Sequence, residues 1–120
     1  MEKKETGIQG ENLAKTFLIE NGYEILESNW RYKQYEVDLI AKKRDELIIV
    51  EVKTRRSNLF GEPEEFVNKA KQKNLFAAAQ AFIELSGLDL EIRFDIVSVL
   101  WSGEKYRINH IESAFRPQFR

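Results

Sequence analysis

Ile8, Leu13, Ala14, Phe17 and Leu18 recur at helical spacing, which predicts a helix over residues 8–20, entered at Thr6 or Gly7 and stopped at Asn21-Gly22. At 100° per residue Glu11 falls on the edge of that stripe, beside Ile8 and Leu18. The period then shortens to two. Residues 23–32 are rich in aromatics and isoleucine, and residues 35–43 alternate, with Val37, Leu39 and Ala41 expected on one face and Glu36, Asp38 and Ile40 on the other. A polar turn at Arg44-Asp45-Glu46 leads into residues 47–54, whose first half is apolar enough to be buried on both faces, and the three strands predict an antiparallel meander.

After Ser57-Asn58 and the Gly61/Pro63 punctuation, Val67, Ala70, Asn74, Ala77, Ala78, Ala81, Phe82 and Leu85 predict a long helix over residues 64–85, ended by Ser86-Gly87. Residues 90–100 read as a fourth strand and 106–111 as a shorter fifth. The order αβββαββ predicts an α/β domain with a mixed sheet flanked by helices. The long helical crossover lets strand four run parallel to strand three.

The 120 residues make one domain, 1–120, with no room for a second core. Nineteen basic against twenty acidic residues exclude the strongly basic histone-like class, so nucleic-acid binding requires a local patch. No cysteine is present, which removes disulfides, thiolate zinc sites and cysteine nucleophiles, and a single histidine, His110, removes multi-histidine metal sites. The apolar runs are too short to span a membrane, and the opening Met1-Glu2-Lys3-Lys4-Glu5 lacks the apolar stretch of a signal peptide; a cytoplasmic protein is expected.

The third strand carries the unusual chemistry. Leu47-Ile48-Ile49-Val50 belongs in the middle of a sheet, yet Glu51 and Lys53 follow on one face. Charges in such a place are costly unless something binds them. Asp38 interrupts the neighbouring strand in the same manner, and the turn at 44–46 brings it across from Glu51. Two carboxylates a few ångströms apart repel, and a hard divalent cation removes the repulsion. Mg²⁺ needs only one or two of them besides waters and a substrate phosphate. A bound cation lowers the pKa of a water and stabilises charge on a phosphodiester, and Lys53 stands where it could orient the nucleophile. The structural alternative for Glu51 and Lys53 is a cross-strand salt bridge on a solvated sheet face, with Asp38 a charge near a strand end.

Asp38 followed by Glu51-Val52-Lys53 resembles the PD-(D/E)XK signature of restriction-endonuclease-like nucleases, whose core has the order αβββαβ. The proline of that signature is absent, Val37 standing before Asp38. More narrowly, Gly10-Glu11, Asn29-Trp30-Arg31, Glu36-Val37-Asp38-Leu39-Ile40-Ala41, Val50-Glu51-Val52-Lys53-Thr54-Arg55, Phe60-Gly61, Arg93-Phe94-Asp95 and the closing Ala114-Phe115 resemble the bacterial YraN family. That family is described by analogy as endonucleases and is similar to archaeal Holliday-junction resolvases. The resemblance implies that Asp38 and Glu51 bind Mg²⁺ or Mn²⁺ with help from the Val52 carbonyl. It also implies that Lys53 is catalytic and that Glu11 binds the metal directly or through water.

Eight basic residues outnumber five acidic ones between Trp30 and Arg56, so charge is segregated. Lys42, Lys43, Arg55 and Arg56 are expected to follow a phosphate backbone, with a plain solvated surface the alternative. The resemblance to the nucleases, which often place a lysine or glutamine of this helix near the active centre, adds Lys71 and Gln72; a helix showing lysine to solvent is the alternative. Arg93 and Asp95 share a strand face and predict an ion pair supporting the sheet. Glu36 shares a face with Asp38 but could equally pair with a lysine, and stays outside the expected metal set; His110 has a structural role, and Trp30 and Trp101 packing roles. No glycine-rich phosphate loop and no G-x-S-x-G elbow occurs. The reading is a metal-dependent endonuclease that hydrolyses DNA, choosing junctions, flaps or ends rather than a base sequence; a two-fold junction would suit a homodimer. A non-catalytic nucleic-acid-binding scaffold with a relict metal site, or an RNA-processing nuclease, are the alternatives.

Overall fold

The computed structural model describes residues 3–56 and 67–117, with the backbone alone for residues 3–6. The Phe60-Gly61 pair, the punctuation around it and the expected helix start at residue 64 lie outside the described residues. The elements run α1 (Lys3–Glu20), β1 (Glu24–Tyr32), β2 (Tyr35–Lys43), β3 (Glu46–Arg56), α2 (Lys69–Ser86), β4 (Glu91–Ser102) and β5 (Lys105–Phe115). The five strands lie side by side in chain order. β1, β2 and β3 form the expected antiparallel meander, β4 is parallel to β3 along its length, and β5 returns antiparallel.

β3 sorts its side chains to two cores. Leu47 and Ile49 pack with Leu75, Ala78, Ala79 and Phe82 of α2. Ile48 and Val50 pack with Ala14 and Leu18 of α1. All four strand residues are essentially inaccessible, as their unbroken apolar run requires. α1 and α2 therefore cover opposite faces of the sheet.

Three boundaries differ from expectation. α1 starts at Lys3, with Thr6 and Gly7 inside it rather than at its entry. The lysines and glutamate ahead of them are good helix formers, and two weaker residues do not outweigh them. Ile8 is exposed, because the buried line of α1 runs through Gly10, Ala14 and Leu18. α2 begins at Lys69, with Val67 and Asn68 ahead of it rather than inside the expected helix: Asn68 is extended, and its side chain accepts a hydrogen bond from the Lys71 N–H (2.8 Å), an N-cap that fixes the first turn. β5 runs on to Phe115, because the single residue Asp95 faces three residues of β5 between the Phe94–Phe115 and Ile96–Ile111 pairs. This bulge carries Ser113 at φ 50° and lets pairing resume beyond it.

Gly10 marks the closest approach of α1 to the sheet. A Cβ there would collide with Thr54 Oγ1 and stand 3.1 Å from two further Thr54 atoms. Alanine favours a helix over glycine by about 1 kcal/mol, but overpacking a close contact costs about 1–3 kcal/mol. Gly10→Ala is therefore expected to lower the urea midpoint, and adding Thr54→Ala to recover part of the loss.

Candidate metal centre and nucleic-acid interface

The ladder between β2 and β3 runs from Lys43–Glu46 to Leu39–Val50 and stops there. One residue further, the Asp38 side chain replaces the missing backbone partner: its Oδ2 accepts from the Val52 N–H at 2.8 Å. Pairing through Ser28–Leu39 and Trp30–Val37 sets Asn29, at φ 51°, opposite Asp38 on β1. The pleat breaks here. Val37 packs with Ile40 in the core under α2, while Leu39 and Ala41 pack under α1. The expected grouping of Val37 with Leu39 and Ala41 is corrected accordingly, because alternation fails where the ladder ends.

Glu51 stands at this opening and is buried, with only 8% of its surface accessible. Burial and a hydrogen bond with the adjacent Asp38 carboxyl push Glu51 up to about 7, against the opposing pull of Lys71 and Lys53. Its ion pair among the described residues is with Lys71 of α2, 3.8 Å from Oε2, rather than with Lys53. Lys53 follows Glu51 by two residues and is half-buried on the same face of β3. From the other side of the sheet, α1 contributes Glu11. With the Asn29 amide turned so that its nitrogen faces the acid, that nitrogen donates to both Glu11 oxygens, at 3.1 and 3.3 Å. Partial burial and repulsion from Asp38 raise the Glu11 carboxyl above its usual range, while Asn29 and Lys15 draw it down.

Asp38, Glu51, Glu11 and Lys71 are thus brought together by four different elements. Among the described residues no three carboxylate or imidazole side chains close on a common point. The donor set is a pair of strand carboxylates with the Val52 backbone beside them, which fits a hard cation that keeps several waters and does not fit an all-protein cage. A carboxyl pushed up by burial and by its like-charged neighbour is also the group that such a cation would relieve.

The basic residues divide. Arg55 and Arg56 continue β3 past Glu51 and are exposed. Lys42 and Lys43 lie at the far end of β2, four and five residues from Asp38, which is about 13–17 Å along a strand. Lys43 is moreover tied to the Asn21 carbonyl (3.0 Å) and sits over the Tyr23 ring. Gln72 donates from Nε2 to the Val67 carbonyl (2.8 Å), locking the entry of α2. Glu36 pairs with Arg31 at 3.3 Å. Trp30 packs edge-on against Phe82, and Trp101 lies tilted against Tyr106.

Sequence reasoning did not reach the full surroundings of Asp95. The Arg93–Asp95 pair forms as expected, through Nε and Nη2 at 2.9 Å each. His110 Nε2 is 2.7 Å from Asp95 Oδ2, and the Ser113 N–H donates to Oδ1. Arg93 also donates to the Tyr23 hydroxyl and to Glu46, and Tyr23 donates to Glu112. β3, β4, β5 and the turn at Tyr23 are joined by this one network, on the face that α1 covers.

A five-stranded mixed sheet with two helices, compatible with an αβββαβ core, defines an α/β domain with an acidic pair where β2 and β3 part. The chain belongs to the UPF0102 family, the YraN family: the family model described as "Uncharacterised protein family UPF0102" matches residues 10–99. A UPF0102 protein of Bacteroides thetaiotaomicron is 46% identical over 116 residues, spanning 97% of this chain and 96% of that protein. One from Flavobacterium psychrophilum is 46% identical over 114 residues, 95% and 96% of the two chains. One from Syntrophomonas wolfei is 45% identical over 113 residues, 93% and 98%. The matched span contains Glu11, Asp38, Glu51, Lys53 and Lys71. Among the described residues no helix is long and apolar enough to cross a membrane.

Proposed function

We propose that this chain is a metal-dependent endonuclease that hydrolyses DNA phosphodiester bonds and selects its substrate by shape. The observation that carries the reading is the pairing of half-buried Asp38 with buried Glu51 at the parting of β2 and β3, with Glu51 raised to about 7. Asp38 and Glu51, assisted by the Val52 carbonyl, would hold Mg²⁺ or Mn²⁺. When bound, the cation stabilises charge on the phosphate and acidifies water. Lys53, on the face of Glu51, orients the attacking group and offsets negative charge on the reacting phosphate. Glu11, fixed by Asn29, holds a water at the acidic edge. Arg55 and Arg56, just past the site on β3, follow the strand by charge alone, so binding weakens with salt. A domain of 120 residues leaves little surface for reading bases, which favours branched or terminal substrates, and a two-fold junction would take two copies.

Calorimetric titration with Mn²⁺ tests the site: wild type is expected to bind, and Asp38→Ala to lose the heat of binding. Matched DNA and RNA strands then decide the substrate. Preferential cutting of RNA would turn the reading to an RNA-processing nuclease. Nucleic-acid binding without Mn²⁺ binding or cutting would turn it to a scaffold with a relict site.

A further inference from the structure

The edge strand of the sheet carries an aromatic pair close to the acidic opening. Trp30 and Tyr32 stack with ring centroids 6.0 Å apart and planes only 9° from parallel. Trp30 is anchored from behind, its edge contact with Phe82 of α2 measuring 5.4 Å at 87°. Tyr32 is half-buried at the end of β1, where it pairs with Tyr35 across the two-residue turn Lys33-Gln34. The Lys33 ammonium lies 5.3 Å over the Tyr32 ring centroid. The pair is thus an anchored aromatic floor ending in a ring attended by one exposed cation.

Its position relates it to the site already described. Trp30 packs into the core under α2, the face on which Glu51 and Lys53 lie, and Tyr32 follows Trp30 by one strand period. Asn29, opposite Asp38, is three residues from Tyr32, which is about 10 Å along a strand. That equals about three nucleotide steps at a stacked rise of about 3.4 Å per strand. A base in a continuous duplex is already stacked on both faces, so only an unpaired base has a face to offer. Base–aromatic stacking tolerates any sequence, because every base has a π-face.

We propose that Tyr32, backed by Trp30, is a stacking platform for an unpaired base of a DNA strand whose phosphate lies at Asp38 and Glu51, with Lys33 moving from the ring to a neighbouring phosphate. The proposal rests on the nuclease reading and narrows it: the platform selects flaps, single-stranded ends and opened branch points over unbroken duplex.

The test uses the full chain with Glu51→Gln as background, in which cutting is blocked, and measures fluorescence anisotropy of a labelled 15-nucleotide single strand and of a blunt duplex. Tyr32→Leu keeps an apolar contact on Trp30 and removes the π-face. It is expected to weaken single-strand binding about tenfold while duplex binding stays unchanged, and Tyr32→Phe is expected to bind both as the parent does. In Trp101→Phe protein, single-stranded DNA is expected to quench the Trp30 emission and duplex DNA to leave it, a readout independent of how well Tyr32→Leu folds. Equal single-strand binding by Tyr32→Leu, an equal loss on both DNAs, or no selective quenching overturns the platform. Any of these beside metal-dependent cutting by wild type leaves the nuclease standing. Failure of the parent to bind either DNA, beside a wild type that does not cut, removes both.

Discussion

Glu51→Gln should raise the unfolding temperature of the metal-free protein at pH 8.5 and leave it nearly unchanged at pH 4. In the folded chain Glu51 is pushed up to about 7 by burial and by Asp38, so the folded state holds this proton more tightly than the unfolded one. The stability that comes from the protonated form is fully present below an ordinary glutamate pKa of about 4.3 and is lost as the pH rises through about 7. The loss in wild type is on the order of 2–3 kcal/mol, or about 10 °C for a domain of this size. Glutamine keeps the shape without the charge, so its stability should be flat across that window. Cation binding supplies the complementary half: Mn²⁺ at a hundred times its dissociation constant stabilises by about 2.7 kcal/mol, and does so in wild type alone. Thermal melts in EDTA and in Mn²⁺ at the two pH values check both halves. A wild type and a variant that melt together at pH 8.5 would show that Glu51 bears no such strain.

Asp95→Ala should produce the largest loss of stability of any single change considered. Asp95 is fully buried and accepts from Arg93 twice and from the Ser113 N–H, with His110 at 2.7 Å. Burial alone would raise its carboxyl, but hydrogen bonds from His110, Arg93 and the Ser113 amide outweigh it and hold the group below its ordinary value. Alanine leaves Arg93 Nε and the Ser113 amide without their acceptor, while the rest of the guanidinium keeps Glu46 and Tyr23. Removing one partner of a buried, hydrogen-bonded ion pair costs about 3–5 kcal/mol, which corresponds to a fall of about 15 °C. A depressed carboxylate contributes above its unfolded pKa of about 3.9, so the gap between variant and wild type should shrink as the pH falls through the lower folded value. Denaturant unfolding at pH 7 and at pH 3 measures both. A variant within 1 kcal/mol of wild type at pH 7 would contradict this account.

The element order and the sheet were legible because β3 repeats apolar residues without interruption and β2 alternates, and the long crossover through α2 dictates the parallel β3–β4 pair. The acid pair was legible for the same reason: Glu51 and Asp38 stand out only against strands that should be apolar there. What escaped depends on where ladders break. Counting by twos from Leu39 puts Val37 on the wrong face, because pairing with β3 ends at Leu39. Lys42 and Lys43 are near Asp38 in sequence, yet a strand rising about 3.3 Å per residue carries them to its other end. His110 reaches Asp95 only through a bulge in the β4–β5 register, which leaves no mark in local sequence. Lys71 is expected near the site from the resemblance alone, and it reaches Glu51 through the packing of α2.

Cleavage by the purified chain tests the central claim most directly. Labelled single-stranded, duplex, flap and four-way DNA would be incubated with wild type and with Glu51→Gln, in Mg²⁺ or Mn²⁺ and in EDTA. The Asp38–Glu51 centre predicts cutting by wild type with metal, strongest on the substrates that carry unpaired strands. It predicts none in EDTA, and a loss of at least about a hundredfold in Glu51→Gln. Folded wild type that cuts none of the four substrates, or Glu51→Gln that cuts as wild type does, would contradict it.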